Sequence, residues 1–141
     1  MATKERRNRR SFYAGALLLA ACAVPAQSAD NAAVCSAFSS RRSHVEVVAG
    51  GTVARVLGTR PGASGSHEGF LMRLNSSCDV TIRVEANEDF TGQFPLEAGD
   101  AVVVKGEYEY YSRGGVIHWT HRDPRGRHEG GYIQTGGKIY D

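Results

Sequence analysis

No stretch of the 141-residue chain is long and apolar enough to cross a membrane. The most apolar run, Phe12 to Val24, falls short of the about 20 residues that a spanning helix needs. Absent too are a glycine-rich phosphate loop, a nucleophile elbow and a Cys-x-x-Cys pair, which removes common signs of nucleotide, esterase and thiol-redox chemistry. Helical periodicity is scarce: only Asn31 to Ser40, with Ala33, Val34, Ala37 and Phe38, is spaced for a short helix. Basic charge is not in excess where it would matter. Of 17 Lys plus Arg and 15 Asp plus Glu, five bases and one acid fall in the first ten residues, leaving 12 against 14. A slightly acidic remainder argues against bulk nucleic-acid binding, which needs a basic face to displace counterions.

The first 29 residues have the composition of a signal peptide. Lys4, Arg6, Arg7, Arg9 and Arg10 precede the apolar run, and Ala26, Ser28 and Ala29 offer small residues for cleavage. Arg9-Arg10-Ser11-Phe12 resembles a twin-arginine export motif. Leu19-Ala20-Ala21-Cys22 resembles a lipobox, in which Cys22 would be acylated and anchor the domain through two chains. The expectation is export to the periplasm or the medium, with a lipid anchor to the envelope as one variant and no other membrane association. The roughly 112 residues that follow suffice for one domain, expected to be monomeric. Two cysteines, Cys35 and Cys78, remain after the leader, and an even count in an oxidising compartment points to a disulfide.

Residues 30–44 are read as an N-terminal segment holding the short helix, and residues 45–141 as an all-β domain. Val45 to Leu57 reads as one long strand bulged at Gly50-Gly51. Gly58 to Ser66, rich in Gly, Pro and Ser, reads as loop, with His67 in that loop region. Phe70 to Leu74 and Val80 to Val84 alternate as a hairpin about Asn75-Ser76-Ser77. Glu85 to Pro95 is a polar connection. Ala101 to Tyr111 is the next strand, with Val102, Val104, Tyr108 and Tyr110 on one face and Val103, Lys105, Glu107 and Glu109 on the other. Ser112 to Gly115 turns into a strand from Val116 to Thr120, and Tyr132 to Gln134 and Lys138 to Tyr140 form a hairpin-like tail. That order suits a small five-stranded OB-like barrel better than a sandwich.

Unusual chemistry is concentrated in His118-Trp119-Thr120-His121-Arg122-Asp123-Pro124-Arg125-Gly126-Arg127-His128, which holds three of the five histidines. Imidazole and carboxylate are ligands for a divalent metal such as zinc. On a regular strand His118 and His121 point to opposite faces. Asp123-Pro124 starts a turn, so His121, Asp123 and His128 form the candidate metal set, with His118 or His67 as a further ligand. Arg113, Arg122, Arg125 and Arg127 near Tyr108, Tyr110, Tyr111 and Trp119 equally suit a small anionic or glycan ligand. The candidate binding surface is therefore His67, His118, Trp119, His121, Asp123, Arg125, Arg127 and His128. A plainer reading makes Trp119 a core residue, His118 a hydrogen-bonded barrel residue, Asp123 a turn-forming acceptor and the arginines a solvated loop. Glu107 and Glu109 could serve as an acid-base pair. With Lys105 on their face and Arg73 or Arg83 across the sheet, they read better as a solvated charged ladder.

Gly106-Glu107-Tyr108-Glu109-Tyr110, Gly114 to His121, Asp123-Pro124, Gly126-Arg127-His128 and Gly131-Tyr132-Ile133 together resemble a bacterial family of small exported proteins, domain-of-unknown-function family 3465. The resemblance runs from Gly51 to Tyr140. It implies an OB-like barrel with recurring features around His67 and His118, and no established activity. Cys35, Cys78 and Tyr132, where tryptophan is expected, depart from the commoner pattern. Two functions are carried forward: a ligand-binding module using the loop after the fifth strand, and a metal-dependent hydrolase, of the phosphodiesterase or nuclease kind, using His118, His121, Asp123 and His128 with His67 assisting. An envelope protein with a protein partner is the third.

Overall fold

The computed structural model describes residues 28–76 and 78–141. The basic leader, its arginine pair and Cys22 lie outside them.

A nine-residue helix, α1 (Asn31–Ser39), precedes seven strands: β1 (Val45–Gly62), β2 (Gly65–Leu74), β3 (Thr81–Asn87), β4 (Ala101–Glu109), β5 (Val116–His118), β6 (Tyr132–Thr135) and β7 (Lys138–Tyr140). A one-turn helix, α2 (Glu88–Thr91), follows β3. The pairings β1–β2, β2–β3, β3–β5, β5–β4 and β4–β1 close a ring of five strands. This is the expected OB-like barrel, and the β6–β7 hairpin extends it along β4.

Closure depends on β1 serving two partners. Its first half, to Thr52, pairs with β4, and from Gly51 onward it pairs with β2. A Cβ at Gly51 would lie 2.3 Å from the Arg73 carbonyl oxygen and 2.6 Å from Met72 Cγ. Only glycine lets the strands meet this closely where β1 changes partner. The register shifts fall just beyond, at Val53/Arg55 and Val56/Gly58, and bend the strand as bulges do.

Gly58 to Ser66 is not the expected loop. Thr59 pairs with Glu68, Arg60 with His67 and Pro61 with Ser66, so β1 and β2 form a long hairpin that turns only at Ala63 and Ser64. Among the described residues, the other side of β1 past Thr52 has no strand partner. Pro61 is tolerated there because an edge strand does not need its N–H. His67 accordingly belongs to β2 and not to a loop.

The barrel interior is filled by the inward residues of each strand, among them Phe70, Met72, Ile82, Val84, Val104, Tyr108, Ile117 and Ile133, all fully buried. β4 shows the alternation expected of it, Val102, Val104 and Tyr108 inward, and Val103, Lys105, Glu107 and Glu109 outward. Helix α1 buries Val34 and Ala37 and is tied to the β2–β3 turn by the Cys35–Cys78 disulfide, Cα–Cα 6.0 Å. Phe38 packs on Tyr110 beyond the C-terminal end of β4, ring centroids 5.7 Å apart. The helix thus plugs the end of the barrel opposite the β1–β2 hairpin tip.

Candidate functional site

β5 is shorter than its sequence pattern implies. It stops at His118 because Trp119 adopts φ 55°, a left-handed conformation that ends strand pairing and is uncommon for a bulky side chain. The chain then leaves the sheet and returns at Tyr132. His118 is paired with Glu107 of β4, and Tyr132 with Lys105, two residues away on the same strand. Residues 119–131 therefore form a loop whose ends lie side by side, the geometry of an Ω-loop. Gly131 holds its neck: a Cβ there would lie 2.2 Å from the Trp119 carbonyl oxygen and 2.5 Å from that of Lys105.

Asp123 organises the loop tip. Its carboxylate accepts hydrogen bonds from the backbone N–H groups of Arg125 (2.9 Å), Arg127 (2.5 Å) and His128 (3.1 Å). Burial works against its charged form, but these three donors and the nearby His128 outweigh that and hold the carboxyl below its ordinary value. Asp123 is thus the turn-forming acceptor of the plainer reading. Arg125 and Arg127 are exposed, Arg127 only 3.9 Å from Asp123 Oδ2, and Arg122 pairs with Asp141 at 2.9 Å.

The break at Trp119 gathers the aromatic side chains. Trp119 is 37% exposed, so it is not the core residue its type suggests. It stacks on His128 at 4.6 Å and lies 5.2 Å from His118. His121, nearly buried, meets His128 edge-on at 4.9 Å and stacks flat on Phe90 of α2 at 4.3 Å. Thr120, fully buried, donates to the Glu85 carbonyl and ties the loop to β3. The Nδ1 atoms of His67, His121 and His128 face backbone carbonyls of Gly65, Arg122 and Glu129 at 3.0, 2.8 and 2.7 Å. Carbonyls only accept, so each neutral ring carries its proton on Nδ1 and presents a basic Nε2. That of His67 receives Ser64 Oγ at 3.2 Å, while that of His128 is enclosed without a partner.

A cleft of about 90 Å³ opens here, lined by Ser64, His67, Glu85, Asn87, His118, Trp119 and His121. Asn87 is held by donating to the Ser64 carbonyl at 2.8 Å, and Glu85 receives Arg60 and Arg83. The arrangement joins His67, His118, Trp119 and His121, with His128 behind the indole. His121, Asp123 and His128 are neighbours, but their donor atoms do not converge as a three-ligand set. Among the described residues that convergence occurs at His44, Glu107 and Glu109.

Arg113 and Tyr111 stand elsewhere. They line a groove of about 630 Å³ with Leu71, Thr81, Arg83 and Val116. Tyr108 is buried and donates to the Gly114 carbonyl, so it is not part of a surface. Groove and cleft are neighbours on one outer face. Thr81, Arg83 and Glu85 alternate along β3; parallel β5 sets Val116 beside Arg83, and Glu85 and His118 both line the cleft. Thr81 to Asn87 spans about 20 Å at the rise of a strand. Sequence reasoning missed Glu85, Asn87 and Phe90, because their roles follow from pairing across the sheet.

No curated protein and no solved structure matches the chain. A family model described as "Protein of unknown function (DUF3465)" matches residues 16–141, and the chain belongs to that family.

Proposed function

We propose that the protein is an exported ligand-binding module that holds an extended acidic oligosaccharide across β2, β3 and β5. Export rests on the basic and apolar leader. What carries the reading is the pair of unlike half-sites on one face: Tyr111, Arg83 and Arg113 at one end, and Trp119 with imidazoles and amide groups at the other. OB barrels bind linear polymers across this face. The cleft of about 90 Å³ is far below the roughly 300 Å³ that encloses a drug-sized ligand. It therefore takes one edge of a longer molecule whose remainder lies in the groove. Exposed faces of Trp119, Tyr111 and Phe90 suit the flat C–H faces of sugar rings, His121 Nε2 and Asn87 suit hydroxyls, and the arginines suit carboxylates. The charge of the mature chain, 12 bases to 14 acids, favours a glycan over a nucleic acid.

Trp119 is the single tryptophan of the chain, so its fluorescence reports on the cleft. Titration with uronic-acid oligosaccharides is expected to give a saturable change that weakens as salt is raised. By calorimetry Trp119→Ala and Arg113→Gln should each weaken binding at least tenfold, about 1.4 kcal/mol. No saturation with a panel of acidic oligosaccharides, or affinity indifferent to both variants, overturns the reading.

A further inference from the structure

The outward face of β4 carries a second cluster that shares only the neighbouring His118 with the cleft. Glu107 and Glu109 sit two residues apart on that face, where two carboxylates repel unless a cation lies between them. The cations that sequence places nearby are engaged elsewhere: Lys105 Nζ is 2.7 Å from Glu129, and Arg83 binds Glu85. Imidazoles take their place. His44, just before β1, holds Nδ1 3.0 Å from Glu107 Oε1 and 3.9 Å from Glu109 Oε1. His118 approaches from β5, with Nε2 3.5 and 3.3 Å from the same two oxygens.

Three features separate this cluster from an ordinary surface ion pair. His118 Nε2 is enclosed and makes no hydrogen bond, although both carboxylates lie within 3.5 Å of it. His44 adopts φ 59°, a left-handed conformation uncommon for a residue with a Cβ, though less so for histidine. The donor spacing is the third. Zinc bonds of about 2.0–2.1 Å arranged tetrahedrally put neighbouring donors about 3.3–3.4 Å apart. His44 Nδ1 lies 3.0 and 3.9 Å from the two carboxylates, either side of that edge. The donors of His44, Glu107 and Glu109 all lie within 4.8 Å of one another, a set that does not include His118.

We propose that His44, Glu107 and Glu109 form a binding site for one divalent first-row ion of the zinc type, with His118 Nε2 beside the two carboxylates and outside the set. One imidazole nitrogen and two carboxylate oxygens suit such an ion better than calcium or magnesium, which prefer all-oxygen shells. The ion would neutralise the paired carboxylates and pin the segment before β1 to β4. The inference stands independently of the glycan proposal.

The test uses the purified chain with its disulfide intact, stripped with EDTA and titrated with Co²⁺ and then Zn²⁺. One equivalent of Co²⁺ should bind with the visible absorption of a four-coordinate site, and one equivalent of Zn²⁺ should displace it and raise the Tm. Glu107→Gln, Glu109→Gln and His44→Ala should each weaken binding at least tenfold while circular dichroism stays unchanged. His121→Ala should bind as the parent does. Absence of stoichiometric binding, binding that survives both Glu107→Gln and His44→Ala, or binding lost with His121→Ala each overturns the proposal.

Discussion

Asp123 shows how one side chain shapes a site without entering it. Its oxygens are spent on three backbone donors, which fixes the path from Arg125 to His128 and so the distance between His121 and His128. Because its folded pKa is lowered, its charge contributes stability that is present above the unfolded value of about 3.9. That contribution fades as pH falls through the lower folded value. Asp123→Asn is expected to lower the Tm at neutral pH, with the gap from the parent closing as the pH falls below about 4. Thermal melts of both proteins across that range check it. A gap that stays constant would assign the effect to shape and not to charge. At this scale the sequence was readable: Asp123-Pro124 marks the turn. His44 was not, because it stands 63 residues from Glu107 and only the β1–β4 register brings them together.

Among the elements, the 119–131 loop is held by its neck. Gly131 donates its N–H to the His121 carbonyl at 2.9 Å and has no room for a side chain against Trp119 and Lys105. Gly131→Ala must push the Trp119 strand end away from β4. We expect a loss of about 1–3 kcal/mol, the usual range for overpacking, with a red shift of Trp119 emission as the indole gains water. Chemical denaturation and fluorescence check both, and an unshifted emission would mean that the neck relaxes elsewhere. Strand alternation made β4 and the β2–β3 hairpin legible, since inward valines and outward charges are local facts. The outer half of the β1–β2 hairpin was hidden by its Gly, Pro and Ser, which look like loop until Thr59 and Arg60 find Glu68 and His67. The end of β5 was hidden for a different reason: nothing in the residue types of His118 to Thr120 encodes the positive φ at Trp119.

For the whole molecule, the barrel has two ends with different duties. One is plugged by α1 and closed by Cys35–Cys78. The other carries the hairpin tip, α2 and the Ω-loop. Bridging residues 43 apart limits the unfolded chain by about 4 kcal/mol on the loop-entropy model. For a domain near 110 residues that corresponds to a Tm shift on the order of 15 °C. The double variant Cys35→Ser, Cys78→Ser is expected to melt lower by that amount. Well below its own transition it should keep Trp119 emission unchanged, because the cleft is at the far end. Loss of the fluorescence signature before the melt would show instead that the plug at one end sets the geometry of the other. The two ends would then have to be treated as one cooperative unit, joined through β4 and β5.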